Sequence, residues 1–185
     1  DTLRPLGPRY ISTVDSGNLC ACLIALAAGL REYGFDVTAG RAERLAAGMD
    51  FSSLLDRQRM LLRIGRSSEN PRSGCYDLLA SEARLTAYLA VARGDVPKKV
   101  WERMSRALVA SGLRRGMVSW TGTMFEYLMP DLFLPSPESS LLGETRHFCL
   151  YVQRRRTRGR PWGISESAYS ALGPGLSYRY KAHGC

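Results

Sequence analysis

Six stretches of helical periodicity, three of them closed by a glycine or a proline, set the limits on what this chain folds into. The first covers 16–33 and stops at Gly34; the second runs from Ala39 to about Leu55, with a break at Gly48. The others are 78–93, closed by Gly94; Val96 to about Ala110, with Pro97 in its first turn; 119–129, ended by Pro130; and Ser139 to Arg156. Asp15 and Asp77 stand ahead of two of these helices, where a short acidic side chain accepts from unpaired first-turn N–H groups. Pro suits a first turn and stops a helix elsewhere. Around the helices, Pro5 and Pro8 discourage helix, Tyr10-Ile-Ser-Thr-Val14 favours extended chain, and Arg59-Met-Leu-Leu-Arg-Ile64 reads as a short strand. Arg66 to Gly74 is loop, and the chain beyond Pro161 is irregular and rich in Gly and Tyr. The pattern predicts an all-α fold with few or no strands, without internal repeat or dividing linker.

Composition narrows the function classes. A chain of 185 residues has room for one domain with a sizeable core. No apolar run reaches the length of about 20 residues that a membrane-spanning helix needs, Leu19 to Leu30 coming nearest. Without an initiator Met or a signal peptide the chain reads as a piece of something larger. The net charge of +9 comes from 23 Arg and only three Lys, so nucleic acid and anionic membrane surfaces enter as partners. Only Arg154-Arg-Arg-Thr-Arg-Gly-Arg160 is a cluster, and no aromatic interleaves it before Trp162. The excess is therefore assigned to a solvated surface, and no nucleic-acid partner is expected. Five Cys include no C-x-x-C pair and there are two His, which leaves no zinc-ligand spacing and no expected metal. Cys20, Cys22 and Cys149 read as small core residues, which suits a reducing compartment. Gly112 to Gly116 lacks the Lys-Ser/Thr of a phosphate loop, and no Gly-x-Ser-x-Gly elbow occurs; no cofactor is expected.

Chemistry concentrates in four blocks: Asp15-Ser-Gly-Asn18, Tyr76-Asp-Leu-Leu-Ala-Ser-Glu-Ala-Arg84, Ser119-Trp-Thr-Gly-Thr-Met-Phe-Glu-Tyr-Leu-Met-Pro130 and Trp162-Gly-Ile-Ser-Glu-Ser-Ala-Tyr169. Each mixes carboxylates, small polar residues or aromatics, which suits a sugar site. On a helix from Asp77, Glu82 shares a face with Leu78, Leu85 and Leu89. A carboxylate in an apolar stripe is either paired with an Arg or put to catalytic use, and helical geometry alone leaves both open. Glu166 is placed in a loop between aromatics. Glu126, on a helix, faces away from Trp120 and Met124, which puts it at the surface. Asp15 and Asp77 are adequately explained as caps.

These blocks, together with Gly94-Asp-Val-Pro97 and Trp101, resemble the central glycoamylase-like domain of cyclic β-1,2-glucan synthases and, more distantly, the β-1,2-glucanases. The matching runs are Arg9-Tyr-Ile-Ser-Thr-Val-Asp-Ser-Gly-Asn-Leu19, Tyr76 to Leu85, Val118 to Pro130 and Pro161 to Tyr169. The resemblance implies an (α/α)₆ toroid and action on linear β-1,2-glucan, by retaining transglycosylation that closes a ring or by endo-hydrolysis. It implies Glu82 as nucleophile and Glu166 as general acid/base, about 5–5.5 Å apart. Trp120, Trp162 and Tyr169 become sugar platforms; Asp15, Asp77, Arg84 and Glu126 join the substrate-binding set. A twelve-helix toroid takes roughly twice this length, so residues 1–185 are expected to be one domain fragment, incomplete at the C-terminus, with apolar faces left open for dimerisation. Its implied partners are a β-1,2-glucan oligosaccharide and the rest of a membrane-bound synthase at the cytoplasmic side of a bacterial inner membrane, the piece itself being soluble. The rival reading is a non-catalytic glucan-binding or structural fragment of such a synthase.

Overall fold

The computed structural model describes residues 9–67, 74–163 and 165–184, without the side chains of Ala168 and Tyr169. The expectations for Pro5, Pro8 and most of the loop up to Ser73 lie outside these residues. The chain forms two compact units, one of 1–77 with 83–105, the other of 78–82 with 106–185.

In the first unit, β1 (Tyr10–Ser12) leads into α1 (Thr13–Glu32), and α2 (Asp36–Ala47) returns along it. Ser12, not Asp15, caps α1: its Oγ accepts from the Asp15 N–H at 3.3 Å. Asp15 is exposed in the first turn, where its charge suits the helix dipole. The ends of α1 and α2 are tied by Arg31, which donates to Glu43 at 2.6 and 3.0 Å and to Asp36 at 3.3 Å. Between them Ala27, Ala39 and Ala42 form a small-residue core flanked by Leu23 and Leu30. Short strands follow: β2 (Leu55–Asp56) pairs with β3 (Leu61–Leu62), and β4 (Gly65–Ser67) pairs antiparallel with β1.

The third helix, α3 (Ala83–Ala92), is shorter than the sequence suggested. Asp77 caps nothing; its carbonyl accepts from the Ser105 N–H. Residues 78–82 are not helical, which removes the helical face that was to join Leu78 to Glu82. The crossing of α1 and α3 is set by Gly17. A Cβ there would lie 1.9 Å from Thr86 Oγ1, and Thr86 Oγ1 donates to the Thr13 carbonyl at 3.2 Å. The Asp15-Ser-Gly-Asn18 block thus has a packing role.

Arg93, just past α3, holds the end of α2. Its guanidinium donates to the carbonyls of Ala46 at 2.7 Å, Met49 at 2.5 Å and Ala47 at 3.3 Å. It also meets Asp95 at 3.1 Å and lies over the Phe51 ring at 5.8 Å.

α1 corrects the membrane reading as well. At 20 residues it is long and apolar enough, by length and composition, to cross a bilayer, although 33% of the stretch is buried in this fold. Leu19, Ile24 and Leu26 remain exposed on it, as does Cys22, which is not a core residue.

The second unit departs furthest from the all-helical expectation. After α4 (Lys99–Arg103), which closes the first unit, the expected helix to Ala110 gives way to a hairpin, β5 (Leu108–Ser111) with β6 (Arg114–Met117). Gly112, at φ 60 in the first position of its two-residue turn, supplies the backbone such a hairpin needs. β6 lies on α6 (Leu141–Arg156): Met117 N–H donates to Thr145 Oγ1 at 3.0 Å, and a Cβ on Gly116 would meet the Phe148 ring at 2.6 Å. The expected helix 119–129 shrinks to α5 (Met124–Leu128) and a 3₁₀ turn, Met129–Leu132. The "irregular" C-terminal stretch is a β-ribbon, β7 (Glu166–Leu172) against β8 (Tyr178–Ala182). Among the described residues the fold is therefore six helices with four two-stranded antiparallel ladders, and the prediction of few or no strands fails. Pairing is local: the partners of three ladders are joined by short turns, so hairpin chemistry outweighs the helical periodicity of short windows.

Candidate functional site

Two of the four sequence blocks meet in the second unit. Thr123 caps α5, its Oγ1 accepting from the Glu126 N–H at 3.1 Å. The next free N–H of that turn, Phe125, donates to Ser165 Oγ at 2.9 Å. This seats the start of β7 at α5, where Thr123 Oγ1 donates to Glu166 Oε1 at 3.5 Å. The other oxygen of Glu166 accepts from the Tyr180 hydroxyl on the facing strand.

The Tyr180 hydroxyl is bonded to Glu166 and feels the charges of two further carboxylates. Its pKa is pushed up to about 12, first by the hydrogen bond to Glu166, then by desolvation and by the charges of Glu166, Glu82 and Glu126. A phenolate forming among carboxylates would be repelled, so the proton stays on oxygen. Glu166 is exposed and Glu82 half-buried. The structure thus brings Glu82 and Glu166 within electrostatic reach of one hydroxyl. Tyr180, Thr123 and Ser165 were missed in the sequence; alternation in Tyr178-Arg-Tyr180 was the available signal, and it indicates only a strand.

Glu126 is not at the surface. It is 6% exposed, and its carboxylate accepts from Ser119 Oγ at 2.5 Å, from Thr121 Oγ1 at 2.5 Å, and from the N–H groups of Thr121 and Gly122 at 3.1 Å. Because α5 starts only at Met124, residue 126 lies in its first turn and folds back on the preceding loop. A charge with this many donors is satisfied in place. Tyr127 completes the frame, accepting from the Ser119 N–H at 3.1 Å and donating to the Met117 carbonyl at 2.9 Å. The backbone of Gly184 approaches the same turn so closely that a Cβ would lie 1.6 Å from the Thr121 carbonyl oxygen.

This turn presents Trp120, 48% exposed, to a groove of about 600 Å³ that is also lined by Ser119, Thr121, Val152 and Arg155. Neither Glu82 nor Glu166 lines it. Trp162 is half exposed, with the Arg154 guanidinium 5.5 Å from its ring centre. Tyr169 lies on β7, and its side chain is outside the described residues. Asp15, Asp77 and Arg84 belong to the first unit; Asp15 and Asp77 are exposed and Arg84 is 3% exposed within α3. Among the described residues no group of His, Cys, Asp and Glu is arranged to hold a metal ion.

No protein-family model matches the chain. A cyclic beta-(1,2)-glucan synthase, NdvB of Rhizobium meliloti (strain 1021), is 39% identical over 194 aligned residues, covering 94% of this chain and 7% of that protein. The chain is homologous to a segment of an NdvB-type synthase and spans a small part of its length.

Proposed function

We propose, from the homology of this chain to a segment of a cyclic β-(1,2)-glucan synthase, that it contributes a glucan-handling site built around Glu82 and Glu166. The observation that carries the reading is the hydrogen bond from the Tyr180 hydroxyl to Glu166, a hydroxyl whose ionisation the charges of Glu82 and Glu126 also oppose, in the unit that also presents Trp120 and Trp162 half exposed. The reaction is retaining transfer on linear β-1,2-glucan. The Glu82 carboxylate attacks the anomeric carbon while Glu166 gives a proton to the departing glycosidic oxygen, leaving a covalent glycosyl ester. Glu166, now ionised, takes a proton from an incoming hydroxyl, which displaces Glu82. If the hydroxyl belongs to the other end of the same glucan the product is a ring; if it is water, the outcome is hydrolysis. Tyr180 holds one oxygen of Glu166, and the longer Thr123 contact leaves the other for the proton transfer. Glu126 acts indirectly, by fixing the turn that carries Trp120. Residues 1–185 form part of one glycoamylase-like (α/α)₆ domain, completed by the rest of a membrane-associated synthase or by a second copy over exposed apolar faces.

The second reading is a non-catalytic glucan-binding piece. It is favoured by the groove beside Trp120, which neither catalytic candidate lines. Mass spectrometry after incubation with linear β-1,2-glucan separates the two, run on this chain and on a longer chain that extends it. Products lighter than linear chains by one water, lost in Glu82→Gln and Glu166→Gln, support transfer; shorter linear products lost in the same variants mean hydrolysis. Glucan that binds and is never altered by either chain sinks the catalytic reading.

A further inference from the structure

A second groove of the same unit, about 490 Å³ in volume, is lined by Arg114, His147, Tyr151, Arg154, Arg155 and Arg158. Among the described residues no carboxylate lines it; Glu138, the acidic partner of His147, is also held by Arg146. The arginines are arranged by aromatic rings. Arg114 stacks on Tyr151 at 5.4 Å, Arg154 lies over Trp162 at 5.5 Å, and Arg155 donates to the Tyr151 hydroxyl at 3.2 Å.

Stacking occupies the flat face of a guanidinium and leaves its in-plane N–H donors free, and those are the donors a phosphate takes in pairs. The C-terminal dipole of α6 favours cations in its last turn, which accounts for Arg154 and Arg155. It does not account for Arg114, which β6 brings to the same groove from elsewhere in the chain. Arginines gathered without a counter-charge repel one another, and a bound anion relieves that repulsion.

We propose that this groove binds a phosphate group, carried by a soluble phosphate ester or by an anionic lipid head group. The inference does not require the glucan reading, although Arg155 lines both grooves.

Inorganic pyrophosphate is titrated into the full chain by calorimetry at low salt. In parallel, sedimentation is followed with vesicles of neutral phosphatidylcholine and with vesicles containing phosphatidylglycerol. The expected result is saturable binding to pyrophosphate or to the anionic vesicles, weakened about tenfold or more in Arg114→Gln/Arg155→Gln. Arg154→Gln/Arg158→Gln repeats the test with two exposed side chains. Arg115→Gln/Arg179→Gln, which removes the same charge outside the groove, leaves binding intact. Binding of pyrophosphate without preference for anionic vesicles assigns a soluble ester. Vesicle binding displaced by pyrophosphate assigns a head group. Equal loss in the control pair, absence of both signals, or capture of single-stranded RNA that pyrophosphate does not displace overturns the proposal.

Discussion

Replacing Arg93 by Met is the sharpest test of how the first unit is held together. Met keeps an unbranched aliphatic stem and removes every donor. The two short bonds, to Ala46 O at 2.7 Å and Met49 O at 2.5 Å, are charge-assisted and of the kind worth about 1.5 kcal/mol or more each. The longer bond to Ala47 and the Asp95 pair add less, because the Arg93 side chain is 22% exposed and water replaces part of what they supply. The expected loss is about 3–4 kcal/mol. With a urea m-value of about 1.5 kcal/mol/M, the unfolding midpoint falls by roughly 2 M, while Arg93→Lys recovers part of the loss. Arg31→Met is the control: that side chain is 48% exposed, so water screens its ion pairs and its removal moves the midpoint much less. If Arg93→Met moves the midpoint by under about 0.5 M, or no more than Arg31→Met, the clamp is not what fixes the end of α2.

Gly17→Ala drives a methyl into Thr86 and costs about 1–3 kcal/mol, lowering the melting temperature by at least about 2 °C; Thr86→Gly in the same chain restores part of it. Glu126→Gln sets an amide N–H₂ against donors in a buried site and is expected to destabilise by about 2–4 kcal/mol, read from tryptophan emission during urea unfolding. Tyr180, with its pKa raised above the unfolded value, contributes stability that is complete below about pH 10 and is lost as pH climbs toward 12. Ultraviolet titration of the nine tyrosines then shows a late-ionising component that shrinks in Tyr180→Phe; an unchanged curve in that variant would refute the pairing of Tyr180 with Glu166.

The long helices were legible because glycine punctuation and periodicity agree there: α1 and α6 lie close to where Gly34 and the Ser139–Arg156 pattern put them, while α2, expected to reach about Leu55, ends at Ala47 because Gly48 stops it, and Leu55 falls in β2. The short elements were not. Leu108 to Met117 carries apolar residues that a helix accepts equally well, and only the turn at Gly112 argues for a hairpin. Glu82 was singled out by a helical face that does not exist, since α3 begins one residue later. Glu126 was misplaced because a helix start error of a few residues moves a side chain from the outer face to the inner turn. The pairing of Glu166 with Tyr180 joins residues across a ribbon with a register irregularity, which residue spacing does not reveal.

The close seat of Gly184 on Thr121 also sets an order of events during synthesis. The first unit has all its residues once Ser105 has emerged, whereas the turn bearing Trp120 lacks the backbone that packs on Thr121 until residue 184 has been made. At about 5–20 residues per second, those roughly sixty intervening residues take several seconds. For that interval the loop bearing Trp120 faces the ribosome and its chaperones, and the outcome is governed by how soon the ribbon of β7 and β8 follows.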